Sequence, residues 1–225
     1  MAHGFRILER TRRVDEQTVR QFRELPVANV SDVMSRLTAG GPNLRPLHAG
    51  GPLAGPAFTV KTRPGDNLMI HKALLMAKPG DVIVVDAGGE LSNALVGEMM
   101  LSHAIQIGVA GVVINGAVRD YGWIKNNSFP VFAAGITHRG PYKDGPGEIN
   151  APISFDGMVI NPGDLIIGDD DGLLCVPYEL TGEIYPLAKA KHEAELKTVA
   201  NTLAGKLDPK LWVDESLKRL GCEGV

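Results

Sequence analysis

Residues 80–120 read GDVIVVDAGGELSNALVGEMMLSHAIQIGVAGVVINGAVRD, and this stretch decides the fold class. Val82–Val85 and Val109–Ile114 are short runs dominated by β-branched residues, which predict buried strands. Each is expected to end in a glycine-bearing turn, Asp86-Ala87-Gly88-Gly89 and Asn115-Gly116. Between them a helical pattern runs from about Ser92 to Ile107, with Leu95, Met99 and Ile105 as its inward positions. Strand, helix, strand over this length predicts a right-handed crossover between parallel strands. Ligands of open α/β sheets bind at the carboxyl ends of such strands, where Gly97-Glu98-Met99-Met100 and Arg119-Asp120 fall.

Working outward, Asp15–Leu25 is predicted helical and closed by Pro26. A second helix is expected over Val30–Leu37 with Ser31 and Asp32 as caps. Gly55–Thr62 alternates like a strand, Leu68–Ala77 reads as a short helix and Pro130–Ala134 as another strand. A Pro-Gly-Asp turn occurs three times, at Pro64, Pro79 and Pro162. Proline fixes φ, glycine accepts positive φ and aspartate bonds nearby backbone, so these three aspartates are read as structural. Thr137–Ile149 is a polar, glycine-rich loop long enough to serve a ligand. Asp169–Asp171 before Gly172 is read as a hairpin turn rather than a metal cluster. From Thr181 to about Leu203 a long charged helix follows, with little to pack on inside one domain and hence an expected oligomer contact.

The chain has 225 residues, 44% of them hydrophobic, enough for one large core with an appendage. A formal charge of −3 argues against a nucleic-acid-binding surface. Two cysteines, Cys175 and Cys222, make no disulfide framework and fit a reducing compartment. The start of the chain carries no apolar signal core and no long apolar span occurs, so the expectation is a cytoplasmic protein without a membrane partner.

Two short motifs carry the chemistry. Gly97-Glu98-Met99-Met100 is either the interior of an amphipathic helix with one exposed glutamate or the first turn of a helix starting near Gly97. In the second case its unpaired amides form a site for a carboxylate or phosphate, with glycine allowing close approach. Arg119-Asp120 is either a surface pair capping the turn Tyr121-Gly122-Trp123 or an anion-binding fork beside a hard cation ligand. His71, His103 and His138 have no metal-ligand spacing; His138 and Arg139 are weak substrate-contact candidates, and Asn115 stands to orient a neighbour. No phosphate-binding loop, nucleophile elbow, Cys-x-x-Cys or dinucleotide fingerprint is present.

The run A-L-V-G-E-M-M followed by N-G-A-V-R-D resembles the RraA-like family, with likeness from roughly Val27 to Pro177 that includes N-P-G-D-L-I-I-G-D-D-D-G-L-L-C-V-P. That family contains class II 4-hydroxy-4-methyl-2-oxoglutarate and 4-carboxy-4-hydroxy-2-oxoadipate aldolases, together with regulators of a ribonuclease. The resemblance implies an α/β fold, an RraA-like α/β/β/α swivelling domain over residues 1–180, with a C-terminal helical extension over 181–225 at a subunit interface. It implies homotrimers or homohexamers, a divalent cation (Mg2+ or Mn2+), and a small 2-oxo acid as substrate. By motif match, Asp120 would ligate the metal and Arg119 would contact substrate. The amides of Gly97, Glu98, Met99 and Met100 would hold the pyruvyl carboxylate, and Glu98 would act through metal-bound water. A neighbour's Glu193 or Glu195 is the expected further carboxylate. Two departures stand out: Asn115 where many relatives carry aspartate, and Met99-Met100 in place of a leucine pair.

The resulting expectation is retro-aldol cleavage of a 4-hydroxy-2-oxo acid to pyruvate, with decarboxylation of oxaloacetate as a side reaction, both through a metal-stabilised enolate. A Schiff base on Lys61, Lys72 or Lys125 is the covalent alternative. The rival class is a non-catalytic regulator that binds a protein such as a ribonuclease. A methyltransferase is disfavoured by the missing glycine-rich loop after the first strand.

Overall fold

The computed structural model describes residues 4–225. The first half of the chain runs β1 (Phe5–Ile7), α1 (Glu16–Arg23), α2 (Val27–Val33), β2 (Arg45–Pro46), β3 (Leu53–Thr62), α3 (Leu68–Leu74), β4 (Val82–Asp86), β5 (Ala94–Val96), α4 (Glu98–Gln106) and β6 (Gly111–Val118). It continues α5 (Tyr121–Ile124), β7 (Val131–Ile136), β8 (Gly147–Ile149), β9 (Ile153–Phe155), β10 (Met158–Ile160), β11 (Leu165–Asp169), β12 (Gly172–Val176), α6 (Thr181–Leu203) and α7 (Trp212–Arg219). By internal contacts the chain divides between Lys189 and Ala190, inside α6.

In the first unit, β3, β4, β6 and β7 lie side by side and parallel. Alternation of side chains sends Ile83 and Val85 of β4 into one apolar cluster and Val82 and Val84 into another, so the strand is buried on both faces. The first cluster packs α3 and α4 on the sheet through Ile70, Leu74, Leu101 and Ala104. The second lies between this sheet and the antiparallel pair β11–β12, through Phe132, Ile166 and Cys175. A third joins the outer face of β11–β12, Leu165, Ile167, Leu174 and Val176, to Phe22, Val30, Ile184 and Ala188 of α1, α2 and α6. Three apolar layers thus separate helices, sheet, sheet and helices, the expected α/β/β/α order. Strand β3 links the two sheets: Leu53–Pro56 pairs with β11 and Ala57–Lys61 with β4. Nine of its ten residues are accordingly poorly exposed, where the sequence suggested alternation.

All three Pro-Gly-Asp turns form, with glycine φ of 75°, 82° and 89° at Gly65, Gly80 and Gly163. Asp66, Asp81 and Asp164 are fully buried. Their carboxylates accept from the N–H of Leu68, Lys78 and Asn161 respectively. The segment 10–14 clamps two of them. Arg10 makes a two-pronged pair with Asp81 at 2.9 and 3.0 Å, Arg12 reaches Asp164 at 3.1 Å, and the Val14 N–H donates to Gly163 O.

Several local expectations change. The second helix begins at Val27 with Pro26 at its N-cap, so Ser31 and Asp32 are helical residues and not caps. It stops at Val33, before Ser35 and Arg36 turn to φ of 57° and 62°. Asn115-Gly116 is not a turn: β6 continues to Val118, with an irregularity against β7 between Ile114 and Ala117. The hairpin at Asp169–Gly172 forms as read, and α6 spans Thr181–Leu203.

The second unit, Ala190–Val225, holds the end of α6 and all of α7, whose charges follow the helix dipole with Asp214 and Glu215 first and Lys218 and Arg219 last. Leu196, Val199, Leu203, Leu211 and Trp212 are exposed on it. No helix among the described residues is long and apolar enough to cross a membrane.

Candidate active site

The stretch from Ser92 is not one helix. Ala94–Val96 forms β5 and pairs with the end of β6, Gly97 is the N-cap, and α4 begins at Glu98. Of the two readings of this motif, the helix start is the one that forms. Leu95 is buried as expected, but Met99 and Ile105 are 82% and 41% exposed, because starting at Glu98 rotates the helix and places Leu101 and Ala104 inward.

Strand β6 carries Arg119-Asp120 to the same place. The Arg119 N–H donates to Val96 O, and Asp120 adopts a left-handed conformation (φ 59°) in which its carbonyl caps α5 through Trp123 and Ile124. Its Oδ2 accepts the Glu98 N–H at 2.9 Å and lies 3.7 Å from Arg119 Nε. A Cβ at Gly97 would overlap Asp120 Oδ2 and stand 2.8 Å from Arg119 Cγ. The glycine is needed for this side-chain packing; its φ of −154° is ordinary extended backbone. Of the first α4 amides, that of Glu98 is held by Asp120 and that of Met100 turns back to Gly97 O. Among the described residues the N–H groups of Gly97 and Met99 meet no such acceptor, so these two of the four expected amides stand open to a ligand. The Glu98 side chain points outward, exposed.

Beside this latch lies a cavity of about 270 Å³. Its wall is made by Gly97, Met99 and Met100 of the α4 start, by Arg119, by Asn67 and His71 of the α3 region, and by Gly140, Pro141 and Lys143 of the glycine-rich loop. Arg119, Lys143 and His71 are the side chains there that carry or can take positive charge, and none of the lining residues is acidic. The loop is fixed by bonds to its surroundings. Tyr142 exchanges backbone bonds with Gly65 and Asn67, the N–H groups of Asp144 and Gly145 donate to Asp66 Oδ2, and Asn93 Nδ2 donates to Gly140 O. Asn67 is buried; its Nδ2 donates to Leu95 O at 2.8 Å, and its Oδ1 has no partner among the described residues. The His71 ring stands at the rim, its pKa held below the usual histidine value first by partial burial and then by the charges of Lys143 and His103.

Arg119, Gly97, Met99 and Met100 therefore meet in one cavity, with Asp120 at its edge. Lys61, Lys72, Lys125, His138 and Arg139 do not line it; Arg139 contributes its carbonyl, which accepts the Ala94 N–H. Asn115 does orient a neighbour, donating from Nδ2 to Asp86 Oδ1 at 3.1 Å. Sequence reasoning missed Asn67 and His71, although their four-residue spacing puts them on one face of a helix. Lys143 was hidden inside a loop flagged only as a whole. Glu193 and Glu195 fall in the second unit, on the C-terminal half of α6.

Comparison with known proteins places these elements. The family model described as RraA-like, Aldolase/RraA, matches residues 27–175. A putative 4-hydroxy-4-methyl-2-oxoglutarate aldolase of Halalkalibacterium halodurans is 42% identical over 173 residues, 77% of this chain and 82% of that one. Among solved structures, an uncharacterized protein of Pseudomonas syringae pv. tomato superposes with a TM-score of 0.77 at 26% identity, covering 87% of this chain and 96% of the other. The RNA-processing inhibitor RraA of Thermus thermophilus superposes with a TM-score of 0.64 at 31% identity, covering 68% and 93%.

Proposed function

The chain belongs to the RraA-like family, and from that membership we propose that it is a divalent-metal-dependent aldolase that cleaves 4-hydroxy-2-oxo acids to pyruvate, with oxaloacetate decarboxylation as a second activity. Members of the family bear the name of 4-hydroxy-4-methyl-2-oxoglutarate aldolase. The observation that carries the reading is the Glu98 N–H to Asp120 Oδ2 bond, which brings a carboxylate, a guanidinium and a helix start to the edge of one cationic cavity.

The donor set fits a hard, loosely held cation. Asp120 offers carboxylate oxygen, and among the described residues no group of three or more His, Cys, Asp or Glu side chains converges as a tight metal cage. Magnesium or manganese, which keep several waters and take one or two carboxylates, match such a site better than zinc. A cation held by Asp120 would supply positive charge to the site as a Lewis acid.

The chain's own groups divide the remaining work. Arg119 lies against the developing oxyanion and the pyruvyl carboxylate, a planar fork suited to that geometry. The Met99 N–H, at the positive end of α4, adds a fixed dipole. Lys143, which lines the same cavity as Arg119, takes the part of the substrate beyond the pyruvyl half. Glu98 sits next to the latch and acts on solvent there. Assembly as a homotrimer or homohexamer in the cytoplasm, with Glu193 or Glu195 of a neighbouring copy entering the site, completes the proposal.

The test is pyruvate release by purified protein from a panel of 4-hydroxy-2-oxo acids and oxaloacetate with magnesium or manganese. Turnover that disappears in excess chelator and in Asp120→Ala is the expected result. Full activity in chelator with borohydride trapping of a lysine, or no turnover alongside ribonuclease binding that survives Asp120→Ala, overturns it.

A further inference from the structure

Among the described residues, buried side-chain atoms without a hydrogen-bond partner occur on Asn67, Asn150 and Asp156, and of these residues only Asn67 lines the cavity. Its orientation is fixed. The group 2.8 Å from its amide is the carbonyl oxygen of Leu95, which can only accept, so the end facing it is Nδ2 and the end turned away is Oδ1. Met100 Sδ, a weak acceptor, stands 3.4 Å from the same nitrogen. The main chain holds the residue from the other side: its N–H donates to Tyr142 O, and its carbonyl accepts from the N–H groups of Ile70 and His71. Asn67 is 3% exposed, and an acceptor enclosed to that degree costs free energy until a donor reaches it.

The donor that fits is a neutral one. Arg119 and Lys143 stand in the same wall, so an ammonium group on the ligand would meet like charge. A carboxylate would set acceptor against acceptor at Oδ1. A hydroxyl does neither.

The place of that hydroxyl along the substrate follows from β5. Leu95, which anchors the amide, stands two residues before Gly97, roughly 6–7 Å along an extended strand. With the pyruvyl carboxylate resting on the α4 start, that span matches the reach of a five-carbon chain from its carboxylate to its far end. The C4-hydroxyl is given over to proton transfer beside Glu98, which leaves the hydroxyl of C5.

We propose that Asn67 selects the substrate, its Oδ1 accepting the C5-hydroxyl of a 4,5-dihydroxy-2-oxo acid, the class of 3-deoxy-2-oxo sugar acids. The assignment rests on the aldolase reading above and narrows it: cleavage gives pyruvate and a hydroxyaldehyde. The cation, Glu98 and a neighbouring copy's carboxylate keep the work already given to them, and Asn67 takes no part in proton transfer.

The experiment compares kcat/KM for manganese-supported pyruvate release from acids that differ only at C5: 4,5-dihydroxy-2-oxopentanoate, 4-hydroxy-2-oxopentanoate and 5-fluoro-4-hydroxy-2-oxopentanoate. Fluorine resembles the hydroxyl in size and electron withdrawal but donates no hydrogen bond. Wild type should favour the dihydroxy acid about 10–100-fold over both others, because each of these leaves Oδ1 buried and unpaired. In Asn67→Leu, close in volume and without an acceptor, that preference should collapse to within about threefold.

Wild type that cleaves the fluoro acid as well as the dihydroxy acid overturns the assignment and leaves the aldolase reading intact. So does an Asn67→Leu protein that slows on all three acids alike and keeps their ratio, the mark of a purely structural residue. Wild type that releases no pyruvate from any 4-hydroxy-2-oxo acid overturns both readings. Circular dichroism and a melting curve check the fold of the variant; should it fail to fold, the wild-type ratio between the dihydroxy and fluoro acids decides alone.

Discussion

The backbone N–H of Glu98 donates to Oδ2 of Asp120 across 22 positions of sequence, at 2.9 Å. An aspartate that would otherwise end a strand thus caps a helix belonging to the preceding crossover. The bond orients one carboxylate oxygen, and among the described residues the other accepts no hydrogen bond. It also fixes Arg119, whose main chain is tied to Val96 O. The site's chemistry and the junction of β6 with α4 are one construction.

Replacing Asp120 by asparagine separates the two roles. Asn keeps an acceptor for the Glu98 N–H but removes the charge, so thermal stability should change by about 1 kcal/mol or less. Metal-supported pyruvate release should fall at least a hundredfold. Isothermal titration with manganese, beside a melting curve, checks both. A stability loss of several kcal/mol with manganese affinity unchanged would show that the carboxylate is structural only.

Gly97→Ala should cost about 1–3 kcal/mol, because the new methyl meets Asp120 and Arg119, whose chains are already anchored. Activity should fall much further than stability, since relief of the overlap means displacing Asp120. A variant with wild-type turnover would contradict the latch. Urea unfolding and a pyruvate assay on the same preparation decide it.

Asp81→Ala leaves Arg10 facing a cavity without its partner, and also frees the Lys78 N–H. Both side chains of the pair are almost wholly enclosed, at 9% and 0% exposure. Breaking such a buried pair from one side costs about 3–5 kcal/mol. The double variant Asp81→Ala/Arg10→Met should recover part of that loss, as a chemical-denaturation cycle would show.

Acid should weaken the first helix before the core. Asp15 caps α1, and the Thr18 N–H bond holds its pKa below the usual aspartate value. A depressed native pKa means that the unfolded chain binds the proton more readily. The contribution is therefore complete above the unfolded value and is lost as pH falls through the native one. Asp15→Ala should cost about 1 kcal/mol at pH 7 and almost nothing at the acid end, with hydrogen exchange in Glu16–Arg23 as the local probe.

Much of the layer order was legible because β-branched runs such as Val82–Val85 cannot be anything but buried strand when bounded by Pro-Gly-Asp and Asp-Ala-Gly-Gly. The place of Arg119-Asp120 just beyond a buried strand was legible for the same local reason. What could not be read was the break at Gly97. Its sequence neighbours are good helix formers, and only the tertiary pairing of Ala94–Val96 with β6 removes them from the helix. The inward faces assigned to Met99 and Ile105 failed with that boundary. Asn67, His71 and Lys143 converge by topology alone, from a helix and a loop some 70 residues apart.

The arginines at positions 10 and 12 hold carboxylates at positions 81 and 164. During synthesis this segment leaves the ribosome early, and its partners follow in two stages, Asp81 in the second Pro-Gly-Asp turn and Asp164 in the third. Its docking is thus a closing event in folding rather than an opening one. A nascent chain halted before residue 164 holds this segment by Arg10 alone, with Arg12 still lacking Asp164, so the clamp is only half closed.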